Sequence, residues 1–283
     1  MPMTGRTASV GEQLRSWRHR RRFSQLDLAC EAGISTRHLS FLETGRSTPS
    51  RDMVLHLAEQ LDVPLRDRNA LLLAAGFAPL YAERSLDDPE MRFALGAVKR
   101  LLRAHEPFPA LAVDRHWTLI AANRAIEPLL VGVSPALLQP PLNVLQLGLH
   151  PDGIARRIMN FHEWREHLLS RLRRQVESSA DPVLTALLQE LSSYPERGVG
   201  PSSDHAENPE IAVPLRLTTD MGVLSFLSTT MVFGAPLDVT LSELAIEIFL
   251  PADAHSDQVM RRLVADLEAG TGCEAETADG DRR

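Results

Sequence analysis

Ser24-Gln25-Leu26-Asp27-Leu28-Ala29-Cys30-Glu31-Ala32-Gly33-Ile34-Ser35-Thr36-Arg37-His38-Leu39-Ser40-Phe41-Leu42-Glu43-Thr44-Gly45-Arg46 is the stretch that decides how the front of this chain folds. Ser24 and Asp27 stand three apart, the spacing at which a hydroxyl and a carboxylate satisfy the free N–H groups of a helix start. Leu26, Leu28, Ala29 and Cys30 then form the apolar part of a short helix, and Gly33 supplies the left-handed turn that ends it. Ser35 caps the next helix, which turns Ile34, Leu39 and Leu42 inward and leaves Thr36, Arg37, His38 and Ser40 outside. Two helices joined by three or four residues are a helix-turn-helix.

Further helices are predicted on both sides. Ser9-Val10-Gly11-Glu12 reads as a capping box, and Val10, Leu14 and Trp17 fall on one face of the helix it opens. Arg15, Arg18, Arg20, Arg21 and Arg22 crowd the other faces and the end, either as a solvated charge run or as a surface for an anion. Ser50 opens a fourth helix with a core face of Met53 or Val54, Leu57, Ala58 and Leu61. Pro64 precedes a fifth carrying Leu65, Leu72 and Leu73 up to Gly76. Five short helices burying one another make an all-α domain over residues 1–80.

The chain has 283 residues, 44% hydrophobic and 24% charged, enough for about two domains with cores of their own. No apolar run reaches the roughly 18 residues of a membrane span, and the opening MPMTGRTASV lacks the apolar core of a secretory leader. A cytoplasmic protein with no membrane partner is expected. Two cysteines, Cys30 and Cys273, are too few for a disulfide framework. The net charge of −7 is uneven: residues 1–51 carry nine Arg against four acids, a net of +5, which leaves −12 on the remainder. The front of the chain suits an anionic partner. Lys99 is the single lysine among 30 basic residues, a bias that fits a GC-rich bacterial genome rather than a function; the cytoplasmic place expected is on the bacterial nucleoid.

After Asp88-Pro89 the pattern changes. A helix through Lys99, Leu101 and Leu102 is followed by two short strands, Pro109 to Asp114 and Trp117 to Ala122. A short helix over Asn123 to Leu130 and helices over Ile154 to Glu177 and Val183 to Leu191 follow, then an exposed loop over 192–210. Ile211 to Thr218, Gly222 to Phe233 and Leu241 to Leu250 read as strands, two of them with alternating apolar residues. One antiparallel sheet with helices over its inner face, an α+β domain over 81–270, is the simplest architecture, with a disordered tail at 271–283.

From Ser24 to Arg46 the chain resembles the XRE-type, phage-repressor-like helix-turn-helix. With Arg68-Asn69-Ala70-Leu71-Leu72-Leu73-Ala74-Ala75-Gly76-Phe77, and more loosely His150-Pro151-Asp152-Gly153 and Thr240-Leu241-Ser242-Glu243-Leu244, it is similar to the MmyB-like bacterial transcription regulators, departing from them at Phe161. The resemblance implies a sequence-specific regulator with a DNA-binding domain and a PAS-like domain for a small apolar ligand such as a fatty acid. It places the third helix in the major groove, with Ser35, Thr36, Arg37, His38 and Phe41 towards the bases and Gln25 and Arg46 on phosphates. Arg37 is the first choice as a reader, since its planar fork matches guanine O6 and N7. Arg18, Arg21 and Arg22 are expected to add nonspecific charge, whereas Glu43 is structural and ties the recognition helix to neighbouring backbone or arginine. A homodimer on an inverted-repeat operator in double-stranded DNA follows, because one such domain makes too few contacts for a specific site.

Chemistry finds little support in the sequence. His162-Glu163-Trp164-Arg165-Glu166-His167 nearly spells a zinc-protease motif, but histidines five apart are separated by about 140° on a helix. No catalytic residue, metal site or resident cofactor is assigned. A ligand region is drawn around Phe161, Trp164, Phe226 and Phe233, with Arg157 or His150 for a carboxylate and Asn123 or Asn160 for a hydrogen bond, although each also fits an ordinary core. The competing readings are a C-terminal half that only dimerises or binds protein, and an enzyme fused to a helix-turn-helix.

Overall fold

The Ser9 hydroxyl accepts the N–H of Glu12 and the Glu12 carboxylate accepts the N–H of Ser9 at 2.7 Å, so the predicted capping box opens α1 (Val10–Arg20). Ser24 and Asp27 repeat it at α2 (Gln25–Glu31), and Ser35 caps α3 (Thr36–Glu43) through the N–H of His38. Between α2 and α3 the chain turns at Gly33, whose φ of 62° is open to a residue without Cβ. The helix-turn-helix expected from Ser24 to Arg46 is present. The structure is a computed structural model describing residues 8–195 and 212–280.

Helices α4 (Arg51–Gln60) and α5 (Leu65–Ala74) complete the five-helix region. Its core is Leu14, Trp17, Leu28, Leu39, Leu42, Val54, Leu57, Leu61, Leu71 and Leu72 with their neighbours. Two details differ from the sequence reading. Leu71 and Leu72 are buried while Leu73 is 60% exposed, because the inward stripe of α5 runs one residue earlier. Leu26 is likewise 60% exposed, and Cys30 is exposed, since the short α2 has room for only Leu28 and Ala29 inside. Gly11 sits against the end of α3: a Cβ there would fall on the Leu42 carbonyl oxygen and lie 2.8 Å from that of Glu43.

By its contacts the chain forms two units. The first takes residues up to Ser85 together with Glu177–Ala180 and Ala235–Ser242, and the second takes Leu86–Val176, Asp181–Gly234 and the chain from Glu243. Within the first, Arg84 pairs with Asp238 at 3.0 Å, Val239 donates to the Ala82 carbonyl, and α10 (Val239–Ser242) follows.

The second unit is α+β, as expected. Strands β1 (Ala110–Val113), β2 (Leu119–Ala122), β3 (Leu215–Thr219), β4 (Gly222–Val232) and β5 (Ala245–Pro251) form one antiparallel sheet in the order β2-β1-β5-β4-β3. Helices α7 (Val144–Leu149), α8 (Phe161–Ser179) and α9 (Pro182–Ser193) contribute to the main core together with Leu111, Val113, Leu215, Leu217, Leu224 and Phe226 of the sheet. Helix α6 (Pro89–Ala104) covers the opposite face, where Val98 and Leu102 meet Ala110, Ala112, Ile246 and Ile248. The sheet is therefore covered on both sides in its middle, where the sequence reading placed helices on one.

The helix expected over Ile154 to Glu177 is broken. A short 3-10 turn, Ile154–Arg157, ends before α8, and the link pairs with β3: Ile158 bridges Leu217 and Met159 donates to the Arg216 carbonyl at 2.8 Å. A strand-like pairing satisfies these backbone groups and leaves no continuous helix. The segment over Asn123 to Leu130 is a 3-10 helix, Arg124–Leu130. Ser192 and Ser193 complete α9, and most of the loop expected over 192–210 lies outside the described residues. The last helix, α11 (Ala254–Gly280), takes in 271–280 of the expected tail, while 281–283 lie outside the described residues. Among the described residues no helix is long and apolar enough to cross a membrane.

Candidate nucleic-acid interface and ligand cavity

The first site is the outer face of α3. Ser35, Thr36 and Arg37 are exposed at its first turn, with His38 half-buried in the same turn and Phe41 half-buried one turn on. Gly45, just past the helix, has φ 71° and turns the chain so that exposed Arg46 comes back to this face. The Arg37 guanidinium lies 5.3 Å from the centre of the Phe41 ring and that of Arg46 lies 5.8 Å from it. A ring flanked by two guanidiniums holds them by cation–π attraction. The structure thus brings Arg37, Phe41 and Arg46 together.

The inner side of the same helix carries its negative charge. Glu43 is buried and accepts from Arg18 Nε at 2.6 Å, Arg18 Nη2 at 2.9 Å and Gln25 Nε2 at 2.8 Å. Burial pushes its carboxyl up, but the hydrogen bonds from Arg18 and Gln25 and the charges of Arg18 and Arg15 outweigh it and hold it below the usual carboxylate range. Glu43 is the structural tie expected. Arg18 is a correction: it is buried in that pair and also donates to the Phe23 carbonyl, so it adds no surface charge. Arg21 donates to the Leu61 and Asp62 carbonyls at the end of α4, and Arg22 is exposed. Gln25, at the start of α2, is held in place by Glu43.

The second site is a cavity of about 100 Å³ inside the second unit. Its walls come from the sheet (Leu111, Leu215, Ser228, Glu247 and Phe249), from the turn before β2 (Trp117), from the 3-10 helix (Ile126, Leu129 and Leu130) and from α7 (Val144, Leu145, Leu147 and Gly148). Ile154 and one face of α8, Trp164, Leu168 and Arg171 at i, i+4 and i+7, complete it. Trp117 adopts φ 67°, in a turn fixed by Asp114 Oδ1, which accepts the N–H groups of His116 and Thr118 at 2.8 Å each. The Trp117 indole N–H donates to Gln175 at 2.9 Å, and its ring carries the Arg171 guanidinium 4.5 Å from its centre.

All the charge in this lining is one pair. Arg171 donates to Glu247 at 3.0 and 2.6 Å and to the Thr230 hydroxyl at 2.7 Å, and that hydroxyl donates to Glu247 at 2.9 Å. Neither Arg171, Glu247 nor Ser228 was singled out from sequence. The signal for Arg171 was its place on the Trp164–Leu168 stripe. Glu247 was hidden because its strand was read by the Leu244, Ile246 and Ile248 alternation, and Ile246 and Ile248 face α6.

Of the eight residues drawn into a ligand region, Trp164 lines the cavity. Asn123 is buried among backbone groups, accepting from Ala110 N–H and donating to the Leu102 and Phe108 carbonyls. Asn160 donates to the Pro214 carbonyl at 2.8 Å and accepts the Arg216 N–H at 3.1 Å, pinning β3. His150 accepts the Asp152 N–H and stands edge-on to Tyr194, and Arg157 donates to the Leu129 carbonyl. Phe161 and Phe226 are ordinary core, and Phe233 packs on the α6 side of the sheet. His167 stacks on Trp164 with ring centres 5.5 Å apart. Among the described residues there is no group of three or more His, Cys, Asp or Glu side chains fit to hold a metal.

Fold and sites define a helix-turn-helix protein whose second domain encloses an apolar cavity. Residues 9–71 match the family model for a helix-turn-helix domain, and residues 96–263 match that of the MmyB-like transcription regulator ligand binding domain. The chain belongs to the MmyB-like transcription regulators, a family of regulators and not of enzymes. It is similar to HTH-type transcriptional regulators of Mycobacterium bovis and Mycobacterium tuberculosis, 32% identical over 115 residues. The match spans 38% of this chain and 38% of the length of those relatives. A solved RNA-binding light-oxygen-voltage receptor aligns over 93% of this chain and 65% of its own at 15% identity, with a TM-score of 0.26.

Proposed function

We propose that the protein is a sequence-specific transcription regulator that binds double-stranded DNA through α3 and a small apolar ligand in its second domain. The observation that carries the DNA reading is the exposed first turn of α3, with Ser35, Thr36 and Arg37 free of the core and Arg46 beside them. Side chains at that position of a helix-turn-helix meet base edges, and a guanidinium reads guanine with two hydrogen bonds. In this reading Gln25 and Arg46 are the phosphate contacts. One helix of eight residues covers few base pairs, so the protein acts as a homodimer on an inverted repeat with half-sites about 34 Å apart. A cytoplasmic location follows from that role.

The cavity supports the ligand reading: an apolar enclosure with few polar groups is how small-molecule sites are built. The alkyl chain of a fatty acid suits such walls. A second reading, in which this domain only dimerises or binds protein, is favoured by the cavity's about 100 Å³ against the roughly 300–1,000 Å³ of drug-sized pockets.

Selection of sites from a random double-stranded DNA pool by the full chain tests the first reading. Enrichment of an inverted repeat with half-site centres about 10 base pairs apart is expected; recovery of unrelated sequences overturns it. Mass spectrometry of the organic extract of the purified protein separates the other two, a co-purified apolar molecule against an extract matching the control.

A further inference from the structure

Charge decides what head group this cavity accepts. Its one cation, Arg171, is paired in two hydrogen bonds with its one anion, Glu247, and is held as well by Thr230 and the face of Trp117. The Glu247 side chain is 6% exposed and that of Arg171 26%, so the carboxylate is the buried partner of the pair. His167, on the same helix, stacks on Trp164, and burial and the charges of Arg171 and Arg174 push its pKa below the usual value. The remaining polar group of the lining is Ser228, whose hydroxyl has no hydrogen-bond partner among the described residues.

We infer that the cavity takes a neutral amphiphile, an apolar chain ending in one hydroxyl or carbonyl group, and discriminates against carboxylates and amines. A carboxylate entering beside Arg171 meets on the same guanidinium a like charge, the buried carboxylate of Glu247, and must displace it or go unpaired. An amine meets Arg171 in the same way. A hydroxyl or carbonyl needs one hydrogen bond, which Ser228 supplies, since a hydroxyl both donates and accepts. The inference rests on the ligand reading of the cavity and refines it, and it departs from the fatty acid that the family resemblance implies.

The test is a titration of the full chain with 1-octanol and with octanoate at neutral pH, read by the fluorescence of Trp117 and Trp164, both in the cavity wall. The two probes share a chain and differ in the head. Octanol is expected to bind at least about tenfold more tightly, and Glu247→Gln, which removes the like charge and keeps Arg171, should bring octanoate level with it. Octanoate binding the unaltered protein as tightly as octanol overturns the head-group assignment alone. No response to either probe overturns the ligand reading beneath it, and this inference with it. The comparison on the unaltered protein stands whether or not the variant folds.

Discussion

Glu43, on the helix that presents Arg37, is bound by the guanidinium of Arg18 on α1 through two hydrogen bonds of 2.6 and 2.9 Å, the Glu43 side chain being 1% exposed and that of Arg18 7%. The pair fixes α3 against α1 and takes the carboxylate away from the face that Arg37 and Arg46 occupy. Arg18→Met leaves a buried carboxylate without its main partner and is expected to destabilise the chain by about 3–5 kcal/mol. The double variant Arg18→Met, Glu43→Leu should recover most of that loss. Denaturant unfolding of the three proteins measures both, and equal stability of the single and double variants would count against the pair.

The same carboxylate gives an acid limit. Its pKa is lowered in the folded state, so its contribution is present above the unfolded value of about 4.3 and is lost as pH falls through the folded one. The stability difference between the unaltered protein and Glu43→Gln should be constant from about pH 7 to 5 and shrink below about pH 4. A difference that holds constant to pH 3 in calorimetry would contradict the lowered pKa.

Arg37 and Arg46 flank one ring but have different roles. Arg37→Ala is expected to cost about 1–3 kcal/mol at one base-pair position and to relax preference there. Arg46→Ala should weaken all sequences alike and reduce the salt slope by about 1. Anisotropy titrations on matched and mismatched duplexes at several salt concentrations separate the two, and identical profiles would refute the division.

Gly11 lies where α1 meets the last carbonyls of α3. Gly11→Ala should destabilise by about 1–3 kcal/mol despite the better helix propensity of Ala, because the clash is with backbone. A melting temperature at or above that of the unaltered protein would show that the helices can part.

The helix-turn-helix was legible because its signals are local. The hydroxyl caps at Ser9, Ser24, Ser35 and Ser50 and the turn at Gly33 act within four residues, so spacing alone places them. Glu43 was legible as structural through the family resemblance, but that its partner is Arg18, 25 residues earlier, was not, and Arg18 was read as surface charge. The inward stripe of α5 was displaced by one residue because Leu71, Leu72 and Leu73 are adjacent and alike in chemistry.

What the sequence by itself determined is the five helices of the first region, the presence and antiparallel sense of five strands, and the concentration of positive charge around the helix-turn-helix, which follow from capping, periodicity and composition; α7, α10 and α11 were not legible in it. What only the tertiary structure decided is which side chains enclose the cavity. Trp117, Trp164, Arg171, Ser228 and Glu247 come from separate elements, and β5 lies in the middle of the sheet with both faces covered, so its apolar alternation marks the α6 side and says nothing of the side where Glu247 meets Arg171. Proximity between residues 76 positions apart is set by packing, and packing is not periodic in the sequence.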